Sequence, residues 1–180
     1  MLLWMVFTLI SWESALSLAC FSGDEELVKY LLNYVTQIDR SPDIKCKSAI
    51  HWICQSHSLN IVREVLKHNI DVNRFDDKGQ PGPFYLLDRT SEEVTIDILE
   101  LLVQYGYDIN NVYRYHQQQK SLLCHFLSGI KPVYRIIEWL LQHGADPSIP
   151  FYTNNHKKLN AYDIAKKKPL MKSLLDKYVK

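Results

Sequence analysis

The feature that most constrains this chain is a repeat. Four segments open alike: Ser14-Ala-Leu-Ser-Leu-Ala-Cys20, Ser48-Ala-Ile-His-Trp-Ile-Cys54, Gly82-Pro-Phe-Tyr-Leu-Leu-Asp88 and Ser121-Leu-Leu-Cys-His-Phe-Leu127. A fifth, Asn160-Ala-Tyr-Asp-Ile-Ala165, follows, and the starts lie 34, 34, 39 and 39 residues apart. Each of the four is succeeded by a second apolar pattern, in Glu26–Leu32, Asn60–Leu66, Ile96–Leu102 and Tyr134–Leu141. Apolar residues there recur at i, i+1, i+4 and i+5, which is one wide helical stripe. Turn signals end these helices: Gly106 and Gly144 suit a left-handed position and Asn69 can replace glycine, while Val35 is a poorer fit. Short segments with aspartate come next, Asp71-Val-Asn73, Asp108-Ile-Asn110 and Asp146-Pro147. One such helix pair cannot bury its apolar face alone, so the repeat predicts stacked neighbours sharing a continuous core.

These motifs resemble the ankyrin repeat family. The family's helix-opening Thr-Pro-Leu-His motif stands here as Ser48-Ala49-Ile50-His51, and its Gly-Ala-Asp signal as Gly144-Ala145-Asp146. The resemblance implies an all-α fold: an ankyrin-repeat solenoid of about four helix-turn-helix repeats plus a C-terminal capping repeat. Repeats are expected at about 14–47, 48–81, 82–120 and 121–159, with a cap at 160–180. Residues 1–13 form a hydrophobic N-terminal segment, read as a lid over the first pair or as a targeting element. The expected core is Leu16, Leu18, Leu27, Val28, Leu31, Ile50, Ile53, Ile61, Val62, Leu66, Leu86, Leu99, Leu102, Leu123, Phe126, Ile137, Leu140, Leu141, Ile164, Leu170 and Leu174. The third unit departs from the family pattern around Thr90–Glu93, and the fingers at Asn111–Lys120 and Ser148–Leu159 are long. Insertions in such arrays map to loops, often on the binding face.

Nothing in a stack of hairpins encloses a small substrate, and the resemblance implies a noncatalytic protein-protein interaction module presenting a concave groove of finger tips and first helices. Contact positions transferred by register fall on Phe21, Ser22, Gln55, Ser56, Arg89 and Thr90 after the first helices. They fall on Phe75, Asp77, Lys78 and Gln80 in the second finger, and on Tyr34, His68, Tyr105 and His143 before the helix-ending turns. The longer fingers add Tyr113, Arg114, Tyr115 and His116, then Phe151, Tyr152 and His156. Tyrosine and arginine are enriched at interface hot spots. The competing reading is that these rings pack against neighbouring fingers.

Charge and motifs narrow the function further. The net charge is +1, which disfavours a globally basic nucleic-acid binder. Residues 157–180 nevertheless carry eight lysines against Asp163 and Asp176, a net +6 on a body of −5. We read this as a solvated end face; a nuclear-import or acidic-surface role is the alternative. Phosphate-binding loops, H-E-x-x-H and the G-x-S-x-G elbow are missing, so no catalytic residue, cofactor or metal is expected. His51, three residues ahead of Cys54, is read as a helix-start partner of Ser48. Cys20, Cys46, Cys54 and Cys124 show no C-x-x-C spacing, which suits a reducing compartment. Partners are expected to be one or more unidentified proteins, with no nucleic acid and no membrane, bound by a monomer in the cytoplasm. A secreted or membrane-tethered effector using residues 1–19 for targeting is the alternative. Against it, no Lys or Arg precedes residue 29, and Glu13 interrupts the apolar stretch. An enzyme with a hidden site and a fragment of a longer array are further possibilities.

Overall fold

The computed structural model describes residues 12–35, 38, 47–86, 91–115, 118–129, 133–152 and 157–178. The elements run α1 (Trp12–Ser22), α2 (Glu25–Leu32), α3 (Ala49–Ser56), α4 (Leu59–Leu66), a 3-10 turn (Gly82–Leu86) and α5 (Glu92–Gln104). They continue as β1 (Val112–Tyr115), β2 (Gln118–Ser121), α6 (Leu122–Leu127), α7 (Tyr134–Gln142), β3 (Phe151–Tyr152), β4 (Lys158–Leu159), α8 (Ala161–Ala165) and α9 (Pro169–Tyr178).

The helices start where side chains satisfy their free N–H groups. Asp24, Ser58, Ser91, Ser121 and Asn160 each accept a backbone N–H three residues on. Ser48 and Asn160 also form reciprocal boxes with His51 and Asp163. The ends are set by left-handed residues: Gly23, His57, Asn69, Gly106 and Gly144 all have positive φ. At the last two, Tyr107 N–H reaches the Leu102 carbonyl and Ala145 N–H reaches Leu140, both at 2.9 Å, which closes a Schellman turn. Val35 takes no such conformation, and its N–H bonds the Leu31 carbonyl at 3.2 Å.

Apolar stripes then stack the helices in two layers. The inner layer runs α1, α3, the 3-10 turn, α6 and α8, each packed on the next; the outer layer runs α2, α4, α5, α7 and α9 in the same way. Ile61, Val62, Val65 and Leu66, and Ile136, Ile137, Leu140 and Leu141, are all buried. Burying a side chain of this size stabilises by about 1.5–3 kcal/mol. Three expected core residues face water instead, Leu18, Leu27 and Leu170. Leu16, Ala19 and Cys20 define the buried stripe of α1, and Leu18 lies about 200° round the helix from Leu16. Leu27 sits at the margin of the Val28, Leu31 and Leu32 stripe, and Leu170 beside Met171 and Leu175. Ile164 and Leu174 are half-buried.

The all-α repeat expectation fits the helices, and the fingers add short strands to it. The chain is mostly helical, but the third and fourth fingers form a four-stranded antiparallel sheet in the order β1-β2-β3-β4. Its register pairs Tyr113 with Lys120, Gln119 with Tyr152 and Phe151 with Leu159. The extra finger residues lengthen the hairpins until neighbours can pair. The third unit differs too, because its first helix is a 3-10 turn. Gly82 opens that turn where a Cβ would lie 2.6 Å from Ile50 Cγ1 and 2.8 Å from the Ile50 carbonyl oxygen.

Polar latches join successive units. Asn73 donates to the Gly106 carbonyl and accepts from Asp108 N–H, both at 2.8 Å. Asn110 repeats this on Gly144 at 3.1 Å and Asp146 at 2.8 Å. The Asp-x-Asn spacing is thereby explained: Asp71 and Asp108 hold the turn by accepting from Asn73 and Asn110 N–H. At the next position Ser148 stands where the asparagine would be.

Candidate partner-binding surface

Helices α1 and α3 each end at a tight turn into the outer partner, and the turn leaves carbonyls and small polar side chains at the inner face. At the ends of α1 and α3 this produces a cleft of about 330 Å³ lined by Phe21, Ser22, Gly23, Gln55, Ser56, His57 and Tyr85. Phe21 is 65% exposed although it is a large aromatic. The serines are already committed: Ser22 Oγ donates to the Ala19 carbonyl at 2.9 Å and Ser56 Oγ to Ile53 at 2.6 Å. The rim is therefore a rigid polar edge beside an exposed ring. The structure brings together Phe21, Ser22, Gln55 and Ser56, four positions taken from register alone. Tyr85 and His57 were missed, because the 3-10 turn and the left-handed residue have no signature at those positions in the sequence.

Tyr85 is held from two sides. Its hydroxyl donates to Asp76 Oδ2 at 2.6 Å, and Lys47 Nζ lies 4.3 Å from its ring centroid. Asp76 is buried but fully used, since its Oδ1 accepts from Lys78 and Gln80 N–H at 2.9 and 2.8 Å. This carboxylate organises the second finger, with Gly79 in a left-handed conformation and Phe75 bridged to Pro81. His51 fixes the finger to the inner layer. Its Nδ1 accepts from Ser48 N–H at 3.0 Å, so the proton is on Nε2, which donates to the Gln80 carbonyl at 2.9 Å. Burial lowers the His51 pKa and keeps the ring neutral.

The remaining candidates do not form one patch. Phe75 and Lys78 are exposed on the second finger, and Phe75 lines a crevice of about 450 Å³ with Gly79, Asn111 and Val112. Tyr34 and Tyr105 are exposed at the ends of α2 and α5. Because α1 and α2 form an antiparallel hairpin, Tyr34 lies at the opposite end of that pair from Phe21. Tyr34 pairs instead with Tyr30, ring centroids 5.1 Å apart. His143 stacks on Trp139 at 3.9 Å and its Nδ1–H donates to the Trp139 carbonyl. Tyr113 is half-buried against Phe84 at 5.9 Å. Phe151 is 9% exposed and belongs to the core, while its neighbour Tyr152 is half-buried. Arg114 and Tyr115 lie in β1, registered with Gln119 and Gln118. Arg89, Thr90, His116 and His156 lie outside the described residues, as do residues 1–11 and Cys46.

The titratable groups supply no reactive centre among the described residues. Burial pushes the Cys20 thiol up to about 12 and raises Cys54 and Cys124, so none is a thiolate at neutral pH. The described residues hold no group of three His, Cys, Asp or Glu side chains able to take a metal.

Residues 6–76 match the family described as ankyrin repeats (3 copies). No curated protein matches the chain. The matched stretch takes in α1 to α4 and ends inside the second finger, and the two-layer stack continues from there to α9. Ankyrin repeats are generally protein-protein interaction modules and are typically noncatalytic. Residues 6–76 are thus similar to ankyrin repeats, and the helical hairpins stack in the same two layers from there to α9.

Proposed function

We propose that the chain is an adaptor or scaffold module that holds a partner protein at the inner-layer cleft around Phe21. The observation that carries this reading is an exposed aromatic ring beside a rim of fixed polar groups. Little ordering entropy is lost on binding, because the helices and their side-chain caps are set beforehand. About four repeats and a C-terminal cap at 160–180 fit the stacking, and the missing latch asparagine at Ser148 suits an array nearing its end. A cytoplasmic monomer fits the free, buried thiols of Cys20, Cys54 and Cys124. Among the described residues no helix is long and apolar enough to cross a membrane. Cleavage after residue 19 would strip Leu16 and Ala19 from the core, which argues against residues 1–19 as a removed leader.

The test is affinity purification with the full chain and with Phe21→Ala carrying Gln55→Ala. A set of proteins held by the first and lost by the second, at unchanged helical signal and melting temperature, supports the proposal. Identical recovery with both, or no protein enriched over an unrelated repeat protein, contradicts it.

A further inference from the structure

One edge of the sheet is β1, and with the order β1-β2-β3-β4 that edge faces back toward the second finger. Tyr115 pairs with Gln118 across two intervening residues, so this is a pair that exchanges hydrogen bonds. Pairs alternate along an antiparallel ladder, which makes Tyr113 with Lys120 the next bonded pair. Arg114 with Gln119 and Val112 with Ser121 are then the unbonded ones. The N–H and C=O groups of Val112 and Arg114 therefore point away from β2, out of the sheet. Among the described residues, no backbone hydrogen bond outside the sheet takes up those of Val112.

The second finger stands beside this edge and has nothing to close it with. Gln80 N–H is held by Asp76 Oδ1 at 2.8 Å. The Gln80 carbonyl accepts from Asp76 N–H at 3.2 Å and from His51 Nε2–H at 2.9 Å. Pro81 has no N–H, and its carbonyl accepts from Phe84 N–H at 3.2 Å. The third and fourth fingers meet strand to strand, at Gln119 and Tyr152. By contrast, the described hydrogen bonds between the second and third fingers all lie at the base, through Asn73. Above the base lies the crevice of about 450 Å³, with Phe75 and Gly79 on one wall and Asn111 and Val112 on the other. Its size is that of a ligand-binding cleft.

We propose that the β1 edge takes an extended segment of a partner protein as an added strand, seated in the crevice between the second and third fingers. Backbone groups of that segment pair with the outward N–H and C=O groups of Val112 and Arg114. Apolar side chains at alternate positions of the segment cover Val112 and the exposed Phe75 ring. A crevice walled on both sides admits one strand and not the edge of a second sheet, which favours an extended partner segment over another copy of this chain. The surface shares no residue with the Phe21 cleft and stands whether or not that cleft binds.

The experiment combines the full chain, amide hydrogen exchange read by NMR, and a library of blocked octapeptides with valine or threonine at alternate positions. In the free chain the Val112 and Arg114 amides are expected to exchange about tenfold or more faster than the Tyr113 amide. Peptides that bind are expected to slow Val112 and Arg114 by about tenfold or more. N-methylation of such a peptide abolishes binding at alternate positions and is tolerated at the positions between. Val112→Pro removes an outward N–H without taking a bond from the β1–β2 ladder, and weakens binding about tenfold, the loss of one hydrogen bond. The methylated peptides leave the protein untouched, so their result stands even if Val112→Pro folds poorly. Slow exchange at Val112 in the dilute free chain means that the chain's own backbone fills the edge, and overturns the proposal. A library without binders, or binders indifferent to the register of methylation, also overturns it. So does protection of Val112 that grows with protein concentration in the absence of peptide, the signature of a second copy.

Discussion

The second finger differs from the third and fourth in what becomes of its aromatic residues. In the first two hairpins Phe21, Tyr30, Tyr34 and Phe75 stand in solvent, and the second finger closes on itself through Asp76. In the last two, longer fingers pair into a sheet and their Tyr113 and Phe151 turn inward, while Tyr105 and Tyr134 on the outer helices stay exposed. An insertion beside a binding face invites the reading that it reaches for a partner. Here the added residues first satisfy their own backbone by pairing strands, as any extended segment near a neighbour must. The rings then cover the sheet face that this creates. Longer fingers have bought local order, and among the described finger residues the exposed ring is Phe75 on the shorter second finger.

The largest expected effect concerns the back half alone. His125 is neutral when folded, with a pKa of about 3 against 6.5 for the free side chain. The unfolded chain therefore binds the proton more readily. Stability from this group is complete above pH 6.5 and is lost as pH falls towards 3. By linkage the loss at pH 4.5 is about 2–3 kcal/mol. Urea unfolding at pH 7 and pH 4.5 measures it, and His125→Phe is expected to flatten that part of the dependence. If His125→Phe leaves the slope unchanged, the ring is not buried and the back half is more open than described.

The junction between the halves comes next. Gly82→Ala places a methyl group against Ile50 side chain and backbone together, so the 3-10 turn must shift. A loss of about 1–3 kcal/mol is expected, read as a lower midpoint in urea. No loss would mean that the two units are not in such close approach. The latches give the smallest effect, about 0.5–1.5 kcal/mol each. Asn73→Ala is expected to cost more than Asn110→Ala, because Asn73 also accepts from Asn111 Nδ2 at 3.1 Å. The reverse order would place the tighter coupling in the sheet-bearing half.

Much of this architecture could be read in the residues. Apolar spacing in the second helices and the turn residues Asn69, Gly106 and Gly144 are local properties, and they specify hairpins without knowledge of anything distant. His51 and Ser48 also behaved as expected, because a helix start is decided within one turn. The sheet was not legible. Pairing Gln119 with Tyr152 joins residues from separate units, and nothing in either segment alone announces its partner. The same holds for the cleft: Phe21, Ser22, Gln55 and Ser56 follow from register, whereas Tyr85 enters only because a 3-10 turn brings it there. The Asp-x-Asn segments were visible as a pattern, but their reach to the next unit's carbonyl was not.

The most direct test sets Phe21→Ala beside Tyr113→Ala in the full chain, with melting temperature and partner capture measured on the same preparations. The account predicts opposite signatures. Phe21→Ala loses capture and changes stability by less than about 0.5 kcal/mol, as an exposed substitution should. Tyr113→Ala lowers stability by about 1–2 kcal/mol through the lost ring contact with Phe84. Destabilisation by Phe21→Ala with capture intact, or a Tyr113→Ala chain as stable as its parent, would contradict the division of labour described.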